Sequence, residues 1–336
     1  MKAVRLVRGG EPPTFSLMEV ADPVPGNGDV VVDVVAAALN RRDWWIWRDA
    51  STTAPVTLGS DAAGRISAVG PGVDAAWVGR EVVINPTLGW ARGETVPGSA
   101  FEILGSPRDG TLAERVMVPV ENVAPKPARL SWEEAAALSL AGLTAWRATV
   151  TCARAAAGRR LLVTGAGSGV ATFAIQIAAA LGSVVWVTTS SPAKLQRLVE
   201  LGARGGVLYT GSDWSDELRD AAGGGFDAAV DSWGGSGWQP ILASLDRGGL
   251  LVNFGDTGGD TATVAVSDVY WAWRSIVGTT MGSPEEYDAL LGHVGSASWS
   301  PVIDSVFELD DMAAAARRLT EPDRFGNVVI TTGVSR

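Results

Sequence analysis

The chain reads as an α/β protein in which a doubly wound parallel sheet follows a small antiparallel β-barrel. Three observations predict this. From about residue 126 to 282, short apolar runs alternate with helical stretches, the pattern of a parallel sheet covered on both faces. From residue 1 to about 125, short β-branched runs are separated by Gly and Pro, as in a small, partly closed barrel. The length of 336 residues suggests two domains at roughly 150 residues each.

Each element follows from local chemistry. Residues 30–35 are rich in Val, residues 64–69 alternate before Gly70-Pro71-Gly72 turns the chain, and residues 81–84 give another short strand. Residues 85–110 hold no sustained period and are punctuated by Asn85-Pro86, Pro97-Gly98 and Pro107-Arg108-Asp109-Gly110. They read as a long loop, a feature usually tied to function or mobility. Ser131-Trp132-Glu133-Glu134 is a capping box that opens an Ala-rich helix. A strand over 161–164 leads through a glycine turn into a helix over 169–181. A strand over 184–188 follows, then a helix that Ser191 caps, with Pro192 at its first position and Gly202 past its end. Further strands fit at 207–209, 226–231, 250–254 and 275–279. A second capping box, Ser283-Pro284-Glu285-Glu286, opens the tail, followed by strand-like 302–303, helical 310–319 and strand-like 327–331. Nothing local decides whether these last pieces return to the first domain.

Composition excludes several chemistries. The chain holds one cysteine, Cys152, and one histidine, His293. A tetrahedral structural zinc site needs four Cys or His ligands, and a disulfide framework needs paired thiols. Serine-histidine or cysteine-histidine catalysis would have to run through His293 alone. With 27 basic against 37 acidic residues the net charge is −10, which argues against nucleic acid or an anionic membrane as partner. The opening Met1-Lys2-Ala3-Val4-Arg5 does not lead into a secretory apolar stretch, and no apolar run is long enough to span a bilayer. A soluble, cytoplasmic protein is expected.

The chemistry begins at Thr164-Gly165-Ala166-Gly167-Ser168-Gly169-Val170-Ala171, which joins a buried strand to a helix. Small residues there let the backbone approach a pyrophosphate, and the helix N-terminus offers unpaired N–H groups. This is the Rossmann pattern of a dinucleotide site, with Ala166, Gly167, Ser168, Gly169 and Val170 against the cofactor. An acidic residue at the end of the next strand would mark NAD. The chain instead has Thr188-Thr189-Ser190-Ser191, with Lys194 one turn on. Thr189, Ser190 and Lys194 suit a 2′-phosphate, so NADPH is favoured. The plainer alternative is that Ser191 only caps and Lys194 lies on a solvated face.

The chain resembles the medium-chain dehydrogenase/reductase superfamily, and within it the zinc-independent quinone oxidoreductase group. The resemblance is carried by Ala38-Leu39-Asn40-Arg41-Arg42-Asp43, Leu58-Gly59-Ser60-Asp61-Ala62-Ala63-Gly64, Asp109-Gly110-Thr111-Leu112-Ala113-Glu114, Ala141-Gly142-Leu143-Thr144-Ala145, the cofactor turn, and Met281-Gly282-Ser283. It implies a GroES-like catalytic domain over 1–125, a Rossmann domain over 126–282, and a segment 283–336 that returns to the catalytic domain. Zinc-dependent members carry a cysteine where this chain has Asn40, a histidine at Ser60, often followed by an acid (here Asp61), and a third ligand near Leu140. Asn, Ser and Leu cannot build that site. The loop at 85–110 matches the lobe that holds four cysteines around structural zinc in those relatives, and it has none.

Without a Lewis acid, hydride delivery to a quinone or to the β-carbon of an enal or enone asks least of the protein. By resemblance Asn40, Asp43 and Thr144 line the nicotinamide end of the site, and the Asn40 amide has an N–H₂ to donate to a developing oxyanion. The plainer readings are that Asn40 caps a turn, Asp43 pairs with an arginine and Thr144 is helix packing. Tyr209 is implied at the adenosine side, Phe254 and Gly255 at the nicotinamide ribose, and Met281 at the cofactor. Asn327 replaces the lysine of a Phe-Gly-Lys run common in relatives, which weakens a phosphate contact there. Trp44 and Trp45 follow the Asn40–Asp43 segment and, taken as strand residues, cannot face one way. With Trp271 they suggest an indole-walled pocket for a flat, apolar or aromatic acceptor. His293 reads as a surface or supporting residue. Residues 275–280 read as a sheet edge through which, by resemblance, a homodimer forms. The function expected is a zinc-independent, NADPH-dependent reductase of quinones or activated C=C bonds. The alternatives are a zinc-free carbonyl or specialised biosynthetic reductase, or a protein that binds NADPH without turnover.

Overall fold

A computed structural model describes residues 1–7, 14–49 and 55–335. The chain forms two compact units, one made of Met1–Ala141 with Ser283–Arg336 and the other of Gly142–Gly282. The first is built on the strand Asp29–Leu39, whose β-branched run is buried almost throughout. It pairs antiparallel with Asp61–Val69, Arg115–Pro119 and Asn327–Thr331, and Glu81–Ile84, Val123–Pro125 and Ile303–Glu308 extend the sheet. The two central strands meet so tightly at Gly64 that a Cβ there would stand 2.1 Å from the backbone oxygen of Asp33. Leu6, Leu58, Ile66, Ile84 and Leu112 fill the interior.

The tail does return. Val328 faces Leu39 and Ile330 faces Ala37 across the ladder, and Val328, Val329 and Ile330 are all fully buried. A strand apolar on both faces needs cover on both, which the barrel supplies. The boundary between the units differs from the expected one at 126. The Ala-rich helix opens at the predicted capping box, with Ser131 Oγ accepting from Glu134 N–H at 3.1 Å, but it breaks after Ala136 and restarts at Ser139. Its first piece, Trp132–Ala136, packs on the Asp29–Leu39 and Asp61–Val69 strands, so residues 126–141 belong with the barrel. The 85–110 segment carries some structure of its own, while its Leu88 and Leu104 join the barrel core. Thr87–Leu88 pairs with Glu102–Ile103, and Trp90 meets Phe101 edge-on at 5.8 Å.

The second unit holds six parallel strands in the order Gly205–Leu208, Val184–Thr189, Arg160–Val163, Phe226–Asp231, Leu245–Asn253, Ser275–Gly278. The chain runs outward one way from Arg160–Val163 and then the other way from Phe226–Asp231, so these two neighbours form the switch point where ligands bind in such sheets. Ser275–Gly278 is the edge strand. Among the described residues no helix is long and apolar enough to cross a membrane.

Candidate active site

The barrel unit concentrates its buried polar groups around Asn40, which ends the central strand and stands at the N-cap of the helix Arg41–Arg48. Asn40 N–H donates to Asp43 Oδ2 at 2.8 Å and Gly59 N–H to Asp43 Oδ1 at 3.0 Å. Asn40 Nδ2 donates to Asp61 Oδ2 at 2.7 Å, and Leu140 N–H to Asp61 Oδ1 at 2.5 Å. Asn40 is 8% exposed, Asp43 2% and Asp61 0%. Asn40 therefore stands at the helix N-cap, and its side-chain amide is fixed by Asp61. Asp43 gives its oxygens to backbone N–H groups, and Arg42 beside it gives its own N–H groups to the carbonyls of Ile103, Leu104 and Ser106.

Burial dominates the electrostatics here. It pushes the Asp43 carboxyl up, against the Asn40 N–H and the Arg42 charge. It pushes Asp61 up to about 7, opposed by the Asn40 and Leu140 donors and reinforced by the Asp43 charge. Ser60 is fully buried and donates to the Leu104 carbonyl at 2.6 Å. An amide N–H₂ turned to Asp61, a hydroxyl turned to a carbonyl and the apolar Leu140 do not make a tetrahedral zinc donor set. Among the described residues no group of three or more His, Cys, Asp or Glu is arranged to hold a metal.

The tryptophans next to Asn40 lie on a helix and not a strand, which corrects the geometric argument for their facing apart. Trp44 packs on the barrel core, with the Arg48 and Arg41 guanidiniums 4.6 and 5.5 Å from its ring. Trp47 stacks on Phe15 at 5.5 Å, and Trp45 is 37% exposed. The motifs passed over Arg41 and Arg324. Burial lowers both guanidiniums, Arg324 to about 10, and Arg41 adds its repulsion to Arg324. Among the described residues no carboxylate pairs directly with Arg41, and Arg324 donates to the Gly326 carbonyl at 2.5 Å. Two crowded, half-buried cations suit an anion. Their one sequence signal is Arg324 standing directly before Phe325-Gly326. Asn327 is turned inward, donating to the Val302 carbonyl at 3.0 Å. His293 packs 5.9 Å from the Trp299 ring and burial lowers its imidazole.

In the second unit the glycine turn has the expected form. Gly165 and Gly167 take positive φ of 55° and 126°, and Ser168 Oγ accepts from Ala171 N–H at 3.3 Å, capping the helix Gly169–Ala180 that Gly169 and Val170 open. Ala166 N–H donates to the Thr188 carbonyl at 2.7 Å. Thr189 departs from its assigned role: it is 1% exposed and its hydroxyl donates to the Ala166 carbonyl at 3.1 Å. It braces the turn and has no donor left for a phosphate. Ser190 is exposed, and Lys194 is half-buried in the next helix, where its N–H meets the Ser191 cap at 3.5 Å.

A cavity of 280 Å³ opens at the strand ends, lined by Thr164, Thr188, Tyr209, Asp231, Trp233 and Ser236 among others. Tyr209 and Trp233 rings lie 6.2 Å apart. Asp231 is fully buried, with oxygens taken by the Thr164 hydroxyl, Trp233 and Gly234 N–H groups and the Asn253 amide. Motif reading singled out neither Asp231 nor Trp233. Phe254 N–H holds the Asp231 carbonyl at 3.0 Å, and Asn253 Nδ2 holds the Gly255 carbonyl at 2.8 Å. Met281 is buried at a positive φ of 51°, and the Thr144 hydroxyl reaches its sulfur at 4.0 Å. Such a backbone in a non-Gly residue is uncommon and gathers at functional sites. Trp271 is 68% exposed beside Tyr270, so its own unit builds no pocket wall around it.

Two family models match this chain. One, an alcohol dehydrogenase GroES-like domain, covers residues 26–128, and the other, a zinc-binding dehydrogenase, covers 169–296. The zinc-type alcohol dehydrogenase-like protein YogA of Leptosphaeria maculans is 32% identical, with 94% of each chain covered. The chain belongs to the medium-chain dehydrogenase/reductase superfamily. This member is also 27% identical to human quinone oxidoreductase, over 94% of its own length and 92% of the other. A crystal structure of an NAD-dependent alcohol dehydrogenase superposes on it with a TM-score of 0.92 at 36% identity, covering 99% of this chain and 100% of that one. The medium-chain dehydrogenase/reductase architecture of a Rossmann-like parallel sheet and a GroES-like barrel is thus present in full, and the chain is an oxidoreductase of that superfamily.

Proposed function

We propose that the chain is a zinc-independent oxidoreductase that passes hydride from NADPH to a quinone or to the activated C=C bond of an enal or enone. The observation that carries the reading is the Asn40 amide fixed on Asp61 at 2.7 Å, at the position where zinc-dependent relatives carry a ligand. An N–H donor there can stabilise the enolate or quinol oxygen that forms as hydride arrives. The nicotinamide ring supplies the hydride. The glycine turn and the helix N-terminus after Ser168 suit the pyrophosphate, and the Tyr209–Trp233 cavity suits the adenosine. Arg41 and Arg324 suit an anionic phosphate. With Thr189 turned inward, the preference for NADPH rests on Ser190, Lys194 and the absence of a carboxylate at the end of Val184–Thr189. The acceptor is read as flat and apolar from the exposed Trp45 beside Asn40, and a second copy is proposed to pair at the edge strand Ser275–Gly278.

A second reading, reduction of a ketone or aldehyde, is favoured by the likeness to proteins named alcohol dehydrogenases, one of them NAD-dependent. One experiment separates the two. Metal-free protein is given NADPH or NADH with quinones, enals, enones and ketones, and nicotinamide oxidation and products are followed. C=C reduction leaves the carbonyl intact. A preference for NADH would overturn the cofactor assignment, and a requirement for added zinc would overturn the mechanism.

A further inference from the structure

We infer that Asp61 is the positioning residue of the barrel site: its buried carboxylate holds one N–H of the Asn40 amide and leaves the second as the donor to the acceptor's oxygen. This rests on the reading of Asn40 as that donor. The amide carries two N–H groups, and one is spent on Asp61 Oδ2 at 2.7 Å. The other carboxylate oxygen is pinned by Leu140 N–H at 2.5 Å, and the Asp61 carbonyl accepts the Thr111 hydroxyl at 2.8 Å. With side chain and backbone both tied, Asp61 cannot swing away from the amide. Sequence motifs do not reveal this pairing, since the two residues lie 21 positions apart on different strands' ends.

The groups around Asp61 give the arrangement a charge dependence. Asp43 repels it from the same cluster, Arg42 acts beside Asp43, and the Tyr287 phenol stands behind it, bonded to Ser139 at 2.8 Å. Burial outweighs the two N–H donors, so the carboxyl titrates near neutrality. The ionised form is the one whose two oxygens accept two N–H groups. Once protonated, Asp61 offers an O–H, whose natural acceptor is the amide oxygen, and the Asn40 amide turns over. Asn40 is then aligned as observed only above the titration of Asp61.

The test uses two readouts. In the cofactor-free protein, the side-chain N–H signals of Asn40 are followed by ¹⁵N NMR from about pH 5 to about pH 9, spanning the neutral range. They should shift with a midpoint near neutrality in the wild type and stay still in Asp61→Asn. In turnover with NADPH and an enone, kcat should rise through the same midpoint. In Asp61→Asn the step should vanish and kcat fall about tenfold or more, with the KM for NADPH within about twofold. Asn40→Ala gives a further check that survives a poorly folding Asp61 variant. Without the amide donor, the Asp61 carboxyl band in infrared spectra should titrate at higher pH. Asn40 signals that ignore pH in the wild type, or an Asp61→Asn enzyme that keeps its step, would overturn the inference. A wild type that turns over no acceptor would sink the reductase reading while the NMR titration still decides the Asp61–Asn40 link.

Discussion

Arg42 and Ser60 converge on one carbonyl, that of Leu104, with Arg42 Nη1 at 3.3 Å and Ser60 Oγ at 2.6 Å. The same guanidinium holds Ile103 and Ser106 at 3.2 and 3.0 Å. A half-buried cation thus organises the end of the 85–110 segment from the residue two places after Asn40. In Arg42→Met the half-buried Ile103 and Ser106 carbonyls lose this donor, while Leu104 keeps the Ser60 hydroxyl. The expected loss is about 2–4 kcal/mol of stability, with faster proteolysis inside 85–110. Urea unfolding and limited proteolysis check it, and an unchanged midpoint would show that the loop is held by its Trp90–Phe101 contact instead.

Gly64 lies where two neighbouring barrel strands leave no room for a side chain. Its Cβ would meet the Asp33 carbonyl oxygen at 2.1 Å and the Val32 side chain at 2.8 Å. Both neighbours belong to the central strand, so relief requires moving backbone. Gly64→Ala is expected to cost about 3 kcal/mol or more, against a usual mutational effect near 1 kcal/mol. Thermal melting against Gly79→Ala measures it, since nothing lies within 4 Å of a Cβ there and only the positive φ of 81° is strained.

On the proposed NADPH reading, the exposed Ser190 is the position to test for cofactor choice. Thr189 is committed to the Ala166 carbonyl, so Ser190 is the strand-end side chain left to meet a ribose substituent. A carboxylate there accepts from ribose hydroxyls and repels a 2′-phosphate. Ser190→Asp is therefore expected to lower the ratio of kcat/KM for NADPH over NADH by about tenfold or more, a change of about 1.4 kcal/mol. Steady-state kinetics with both cofactors reads it directly. A ratio that stays put would place the discriminating contact elsewhere.

Much of this was legible in the sequence because it is local. The glycine turn, the three serine caps at Ser131, Ser191 and Ser283, and the alternation that builds the parallel sheet each lie within a few residues. The helix Arg41–Arg48 was harder, since its Trp-Trp-Ile-Trp run favours strand by composition. Its signal is the Asn40–Asp43 spacing, an N-cap followed three residues on by an acid. What stayed hidden is non-local. Val328 against Leu39, Arg41 beside Arg324, and Asp61 beneath Asn40 each join distant stretches whose own composition would suit many partners.

Asp61 also leaves a mark on stability. Its folded value of about 7 lies above the ordinary value of 3.8, so between these the native state binds the extra proton. Stability from this group is full at low pH and is lost as the pH rises from about 4 to about 7, by a few kcal/mol at most. Wild-type protein should melt at lower temperature at pH 8 than at pH 6, once the change in Asp61→Asn is subtracted. A wild type and variant that respond alike would mean that Asp61 has an ordinary carboxyl value in the folded protein.

Trp233 meets Tyr209 at 6.2 Å over the 280 Å³ cavity and hangs on Asp231 through its backbone N–H at 3.1 Å. Gly258 packs against the indole so closely that a Cβ would sit 2.1 Å from its Nε1, so the ring is held from behind. A held aromatic face beside a tyrosine offers stacking to an adenine, worth about 0.5–1.5 kcal/mol. Trp233→Ala should therefore weaken NADPH binding by up to about tenfold, while kcat at saturating cofactor changes little, because the reacting ring is far along the dinucleotide. Titration of intrinsic fluorescence gives the affinity, and steady-state rates give kcat. A large fall in kcat with unchanged affinity would move Trp233 from the adenosine end to the chemistry.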